Sequence, residues 1–210
     1  MSKRRVGLVM RIIGIMAVTA GLGLSGYNLW DNYRAGIQAF TALDAIVREQ
    51  EEAAAEPNET PQTPPVLLPD FDRELPVQEV DGHRYIGVVS IPAIDVALPV
   101  QEEWSLAQLK TSPCRYMGSP YMGDLIICAH NYASHFGRLK NLQPGDEVLF
   151  TDVEGNEFLY TVVELQTLAA TAVEEMESGA WDLTLFTCTL GGRMRVTVRC
   201  DLLENDVTGA

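Results

Sequence analysis

The stretch TLFTCTLGGRMRVTVRC, from Thr184 to Cys200, holds the pattern that decides the fold. Two runs of β-prone residues flank the pair Gly191 and Gly192, which predicts a β-hairpin. Side chains alternate across a strand. One face of the second strand is apolar and predicted to point into a core: Met194, Val196, Val198 and Cys200. The opposite face, predicted to look onto solvent or a groove, carries Arg193, Arg195, Thr197 and Arg199.

Cys188 ends the first strand of this hairpin, and its alternation partners are Thr184 and Phe186. The pattern leaves open which face of that strand is inside. A thiol with an ordinary pKa of about 8.5 is only a few per cent thiolate near neutral pH, so a cysteine nucleophile needs a histidine or a positive field. The chain has three histidines: His83, His130 and His135. Of these, His130 closes the predicted strand GDLIICAH, where functional groups gather at a barrel rim.

The rest of the region from about Asp81 is also typical of short strands. YIGVVSIPAIDVALPV predicts two strands broken at Pro92, and GDEVLFTDVEGNEFLYTVVEL predicts a hairpin with its turn at 154–156. Two short helices are predicted, at Trp104–Thr111 and Ser134–Leu142. Seven or eight strands with few helices indicate a mainly β fold, a closed or nearly closed β-barrel.

The N-terminal stretch Val6–Trp30 is apolar apart from Arg11 and Asn28, and three basic residues precede it. About 20 apolar residues span a bilayer core, and the basic end stays in the cytoplasm. We therefore expect a single-pass signal anchor in the cell membrane with the remaining chain outside the cell; a cleaved signal peptide is the alternative. The predicted organisation is a cytoplasmic tail (1–5), the transmembrane anchor (6–30), a stalk (31–80), the barrel (81–205) and a tail (206–210).

The predicted stalk changes character along its length. Residues 31–56 have helical periodicity, with an apolar side formed by Ile37, Phe40, Leu43, Ala45, Ile46 and Val47. An acidic segment with five prolines between Pro57 and Pro69 follows, and such a composition does not pack. The net charge of −14 argues against nucleic acid as a partner, because phosphate binding needs a basic face.

These motifs together resemble the sortases, membrane-anchored cysteine transpeptidases of Gram-positive surfaces. The resemblance covers roughly Tyr85 to Leu203, and its strongest element is Thr-Leu-Phe-Thr-Cys placed 58 residues after His130, followed by an arginine-bearing strand. It implies a sortase-like closed β-barrel. Residue by residue, Cys188 matches the nucleophile and His130 the catalytic histidine. Arg195 matches the catalytic arginine, with Arg193 as the competitor, and Thr187 matches a position that shapes the substrate groove.

The resemblance further implies an activity. Cys188 would form a thioester with the sorting signal of a secreted protein and transfer it to an amine of a cell-wall precursor or a pilin, with no cofactor. A hydrolytic cysteine peptidase with the same residues and a non-catalytic binding protein are the alternatives. The subclass stays open: the segment 167–182 is too short for the class B insertion, and Asp70 and Phe71 only loosely match the lid of pilin-polymerising members.

Metal sites and disulfides are the remaining alternatives. Some class A members bind calcium through acidic loops, but the acids here are better explained as solvated charge: Glu102, Glu103, Glu174 and Glu175. A zinc site would use Cys128, His130, Cys188 and Cys200, without the close Cys-x-x-Cys pairs that structural zinc prefers. Four extracellular cysteines, Cys114 included, also allow two disulfides, although a nucleophile must stay reduced. We therefore predict no metal, and leave the redox state of the other three cysteines open.

Overall fold

The computed structural model describes residues 3–55 and 73–203. Its helices are α1 (Lys3–Ala55) and the single turn α2 (Val173–Met176). The strands in chain order are β1 (Gln78–Val80), β2 (His83–Ile91), β3 (Val96–Gln101), β4 (Cys114–Met117), β5 (Leu125–Ala129), β6 (Glu147–Asp152), β7 (Glu157–Ala169), β8 (Leu183–Cys188) and β9 (Met194–Leu202). Three short 3₁₀ turns connect them: Pro92–Ile94, Gln108–Lys110 and Phe136–Asn141.

The strands close into a barrel. Their order around it is β2-β3-β4-β5-β8-β9-β7-β6, and β6 pairs back onto β2 to complete the ring. The short strand β1 pairs with the first residues of β2 and stands outside the ring. Most neighbours are antiparallel, but β5 and β8 run parallel, so the ends of these two strands lie at the same rim. The predicted closed barrel of seven or eight strands is confirmed, with eight strands in the ring formed by the described residues.

The turn between β6 and β7 lies where the sequence predicts it. The buried carboxylate of Asp152 accepts hydrogen bonds from the backbone amides of Glu154 and Asn156, both at 2.9 Å. An Asp side chain that bonds its own backbone two residues further along is a common turn device. Gly155 takes a φ of 85° there, which glycine adopts without strain.

The structure resolves which face of β8 is inside. Leu183 and Leu185 are fully buried in the barrel core, together with Val198 and Cys200 of β9. Thr184, Phe186 and Cys188 therefore point outward. Cys200 is a buried core residue, as the alternation of β9 predicts. The orientation of β8 follows from the register with β9, which only the folded sheet supplies.

The two predicted short helices are wrong in type or extent. Within Trp104–Thr111 only Gln108–Lys110 is helical, and Ser134–Leu142 contains the 3₁₀ turn Phe136–Asn141. The strand β4 was not predicted, because it has four residues and its pairing with β5 is irregular between Arg115 and Met117, which weakens the period-2 pattern.

The chain divides into two compact units, Met1–Arg34 and Ala35–Ala210. By length and composition, α1 could cross a membrane, because an 18-residue window within Gly7–Gln50 has a mean hydropathy of 1.9. The proline-rich part of the predicted stalk, which includes Asp70 and Phe71, lies outside the described residues.

Within the second unit, the C-terminal part of α1 packs on the barrel. The buried side chains of this segment are Ala35, Ala39, Ala42 and Ile46. The larger Ile37, Phe40 and Val47, which belong to the apolar side indicated by the periodicity, are exposed. Three of the four buried residues are alanines, which allow close approach of the helix backbone to the barrel, so shape as well as hydrophobicity selects the buried face.

Candidate active site

The hairpin of β8 and β9 places Cys188 directly opposite Arg195. The turn that joins them uses Gly191 and Gly192 with φ values of 85° and 71°, a left-handed conformation that favours glycine. Directly opposite residues of an antiparallel pair have Cβ atoms about 4.5–5.5 Å apart and project to the same side. Cys188 and Arg195 are both partly exposed, so their side chains share an accessible surface.

The parallel pairing of β5 with β8 brings His130 to the same rim. Ala129 of β5 pairs with Thr187 of β8, so the residues that follow them, His130 and Cys188, lie at the same level of the rim. The Thr187 hydroxyl donates to the carbonyl of Ala129 at 2.8 Å. Thr187 is itself buried and lies on the interior face, so it does not line the surface that Cys188 faces. Its contact instead fixes the backbone just before His130.

The three arginines of β9 have different surroundings. Arg195 donates from Nη1 to the carbonyls of Gly192 (2.9 Å) and Met194 (3.2 Å), which folds its guanidinium against the turn. Arg193 lies before the first residue of β9 and is exposed. Arg199 is buried, and its Nη atoms donate to the carbonyls of Met176 (3.0 Å) and Glu175 and to the Thr184 hydroxyl (2.9 Å). Burial lowers the pKa of Arg199.

Cys188 is the most accessible of the four cysteines, all of which are free thiols. Cys114 and Cys128 are buried partners across β4 and β5. Burial raises the pKa of Cys114 to about 12, and that of Cys200 likewise to about 12. Burial, with Cys114 nearby, also raises the pKa of Cys128. These three thiols therefore stay protonated at neutral pH and are poor nucleophiles. Among the described residues, no group of three or more His, Cys, Asp or Glu is placed to hold a metal ion.

Three aromatic rings form a wall that leads away from Cys188. Phe186 lies two residues before Cys188 on the same face of β8 and meets Tyr116 edge-on, with ring centroids 5.4 Å apart. Tyr116 stacks on Trp104 at 5.9 Å and donates from its hydroxyl to Glu177. Beyond the wall is a cleft of about 410 Å³ that Trp104, Tyr116 and Met117 line together with Glu102 and Glu103.

The aromatic wall was missed at the level of sequence. Trp104 and Tyr116 lie in irregular segments, and nothing in their spacing shows that they meet Phe186. No signal in the sequence could have found it, because Trp104 and Tyr116 come close to Phe186 only in the folded barrel.

The loop that follows His130 is tightly folded. The Phe136 amide donates to the His130 carbonyl at 3.2 Å, and the amides of His135 and Gly137 donate to the Tyr132 carbonyl. A Cβ at Gly137 would lie 2.5 Å from the carbonyl oxygen of Asn131, so only glycine fits there. His135 is fully buried, whereas His83 is exposed at the start of β2. The structure thus gives each of the three histidines a distinct environment.

Comparison with known families identifies the family to which the barrel domain belongs. Residues 89–203 match the family model of the sortase domain, which is more than half of the chain. The chain belongs to the sortase family. Sortases are cysteine transpeptidases, and the family is anchored to membranes in Gram-positive bacteria. No curated protein matches this sortase in sequence.

Solved structures of other sortases resemble this one. Sortase C1 from Streptococcus agalactiae is 27% identical with a TM-score of 0.53, over 61% of this chain and 72% of that chain. Sortase C from Streptococcus pneumoniae is 22% identical with a TM-score of 0.56, over 76% and 96% of the two chains. Sortase A from Corynebacterium diphtheriae is 19% identical with a TM-score of 0.53, over 90% and 98%. The likenesses to sortase C from Streptococcus pneumoniae and to sortase A from Corynebacterium diphtheriae bear on the fold alone, because the identities are low.

Proposed function

We propose that this sortase cleaves a C-terminal sorting signal of secreted proteins through a thioester on Cys188 and transfers the acyl group to an amine. The observation that supports this most directly is the pairing of Cys188 with Arg195, at the rim where β5 delivers His130. Cys188 would be the nucleophile, His130 the general acid and base, and Arg195 the donor to the oxyanion. Arg193 is the runner-up for Arg195.

The proposed chemistry has two halves. The Cys188 thiolate attacks the carbonyl carbon of the signal's threonine, and the oxyanion that forms accepts hydrogen bonds from the planar guanidinium of Arg195. His130 protonates the leaving amine as the C–N bond breaks, which leaves the thioester. In the second half, an incoming amine loses a proton to His130 and attacks the thioester, and the Cys188 thiolate leaves.

The aromatic wall supports a place for the signal. Phe186, Tyr116 and Trp104 would contact apolar side chains of the signal on the acyl side of the cleaved bond. The segment around α2 closes one end of this groove, because Glu177 bonds the Tyr116 hydroxyl and Met176 lies over Arg199. The acceptor amine, from a cell-wall precursor or a pilin lysine, would then reach Cys188 from the side of the β8–β9 turn.

The proposed location is the outer face of the cell membrane. The apolar stretch of α1 would be the single-pass anchor. The basic residues Lys3, Arg4 and Arg5 would hold the N-terminus in the cytoplasm. The barrel would then be extracellular, where secreted substrates pass.

The test is an acyl-transfer assay with the full chain in detergent micelles. A quenched peptide library with threonine at the cleavage position is incubated with glycine amide, with lysine amide, or without an amine, and products are identified by mass. We expect an acyl-enzyme adduct on Cys188 and an amide product that depends on the added amine. Cys188→Ala should abolish both, while Cys200→Ala serves as the matched control that keeps the nucleophile.

Three outcomes would contradict this proposal. If the hydrolysed peptide remains the product whether or not an amine is added, the protein is a cysteine peptidase instead. An adduct that persists in Cys188→Ala would move the nucleophile to another thiol. Peptide binding without an acyl-enzyme adduct would show that the protein binds the peptide but does not catalyse acyl transfer.

A further inference from the structure

His135 is a buried histidine that the proposed chemistry does not use. Its side chain is 0% exposed, and its ring nitrogens make no hydrogen bond of good geometry, although the Ala35 backbone lies close enough to act on the ring. A buried polar group without such a bond costs about 1–3 kcal/mol. His135 lies five residues after His130, so a ring at this position can act on the proposed catalytic histidine.

The ring of His135 is the last of a row of three rings that begins at His130. The His130 and Tyr132 rings lie with centroids 4.7 Å apart and planes inclined by 31°. The Tyr132 and His135 rings follow with centroids 5.4 Å apart. The row therefore runs from the partly exposed His130 at the barrel rim to the fully buried His135.

The buried end of the row rests on α1. The Ala35 carbonyl lies beside the His135 ring and acts on its pKa in the raising direction. A Cβ added to Gly36 would lie 3.3 Å from the Cβ of Ser134, so the helix backbone and the loop are already in close contact. The hydrogen bond from the Phe136 amide to the His130 carbonyl closes the loop on its other side.

We propose that His135 is a positioning residue for His130: through Tyr132 it holds the His130 imidazole in one orientation and braces it against α1 at Ala35 and Gly36. This inference rests on the proposed role of His130. A catalytic group that is misplaced by about 1 Å costs on the order of 100-fold in rate, so a brace of this kind bears on turnover rather than on substrate binding.

The charge state of His135 suits this position. Burial, together with the nearby His130, lowers the pKa of His135 to about 4, although the Ala35 carbonyl opposes the shift. His135 is therefore neutral at ordinary pH and places no positive charge beside His130 when that ring takes up a proton. A ring of similar shape without nitrogens should then serve nearly as well.

The experiment compares His135→Ala with His135→Phe in the full chain, with the exposed His83→Ala as the matched control. On the peptide that the wild type cleaves fastest, His135→Ala should lower kcat by about 10- to 100-fold with KM changed less than about twofold. His135→Phe should stay within about threefold of wild type, and His83→Ala should not differ from it. Tyr132→Leu, which removes the middle ring at a partly exposed position, should reproduce the loss if His135→Ala does not fold.

A second measurement does not depend on catalysis. With only three histidines, ¹³C,¹⁵N-histidine labelling resolves each ring, and His83→Ala and His135→Phe assign two of them. We expect side-chain couplings of a single rotamer for His130 in wild type and His135→Phe, and averaged couplings in His135→Ala and Tyr132→Leu. Unchanged couplings and unchanged kcat in both ring-removing variants would overturn the inference. A wild type that forms no acyl-enzyme would instead overturn the proposed function, and the coupling measurement would still decide whether the brace exists.

Discussion

At the residue scale, alternation alone does not separate Arg193 from Arg195, since both project to one side of the same strand. Their positions in the hairpin separate them. Arg195 lies opposite Cys188, whereas Arg193 precedes β9 and its carbonyl accepts a hydrogen bond from the Ala170 amide. The arginine that can reach an oxyanion on Cys188 with the least movement is therefore Arg195, once its guanidinium leaves the carbonyls of the turn.

Arg195→Ala should lower kcat/KM by two to four orders of magnitude, about 3–5 kcal/mol of transition-state stabilisation. Arg195→Lys should recover little of this, because an ammonium lacks the planar fork. Arg193→Ala should cost about tenfold or less. Peptide-cleavage kinetics of the three variants, with circular dichroism to confirm folding, measure the effect; a larger loss for Arg193→Ala would reverse the assignment.

The buried His135 should make the free energy of unfolding depend on pH in mildly acidic solution. The pKa of His135 is lowered to about 4 in the folded protein from an ordinary value of 6.5, so the unfolded chain binds more protons between these two pH values. The free energy of unfolding should therefore fall as pH drops through that window, by on the order of 3 kcal/mol from this group. The His135→Phe variant has no titrating group at this position, so its free energy of unfolding should lack this contribution to the pH dependence. Urea unfolding of both proteins at pH 7, 5.5 and 4 tests this, and a constant difference between them would contradict it.

At the scale of elements, the segment between β7 and β8 depends on Arg199. This arginine lies on the outward face of β9, yet it is 1% exposed because the α2 turn covers it, and it donates to backbone carbonyls at both Glu175 and Met176. Thr197 lies beside it under Met176. The outward face of β9 is thus divided into an open end at Arg195 and a covered end at Arg199.

Arg199→Met should release the α2 segment, because two carbonyls and the Thr184 hydroxyl lose their donor. We expect the free energy of unfolding to fall by about 1–3 kcal/mol and amide exchange to accelerate at residues 173–177. Arg193→Met, which changes an exposed arginine of the same hairpin, is the control for stability. Equal exchange rates at 173–177 in both variants would show that Arg199 does not hold the segment.

At the scale of the whole molecule, the folded unit begins within α1. Ala35, Ala39 and Ile46 are buried at 0–1% exposure, and Gln50 donates to the Asp152 carbonyl at 2.8 Å. The helical stretch of the predicted stalk, from Ala35 onward, is therefore packed on the barrel. A boundary chosen by composition alone would remove this stretch together with the proline-rich segment.

Residues 31–210 should be soluble and active on peptides, because this fragment keeps the packed stretch of α1. Residues 56–210 should be less stable and prone to aggregate, since the barrel surface under Ala39 and Ile46 becomes exposed. Thermal unfolding and size-exclusion chromatography of the two fragments measure the difference. Equal melting temperatures would mean that the helix adds nothing to the folded unit.

The sequence by itself determined the strands of the barrel, the hairpin turns and the inward apolar face of β9, because these depend on local alternation and on turn residues. The tertiary structure alone decided which face of β8 is outside, which arginine lies opposite Cys188, and that Arg199 is covered. It also decided that Ala35, Ala39, Ala42 and Ile46 of α1 meet the barrel while Ile37, Phe40 and Val47 do not. It likewise decided that Phe186, Tyr116 and Trp104 form one wall. These features join residues far apart in the chain, and their register and close approach are fixed only when the sheet closes.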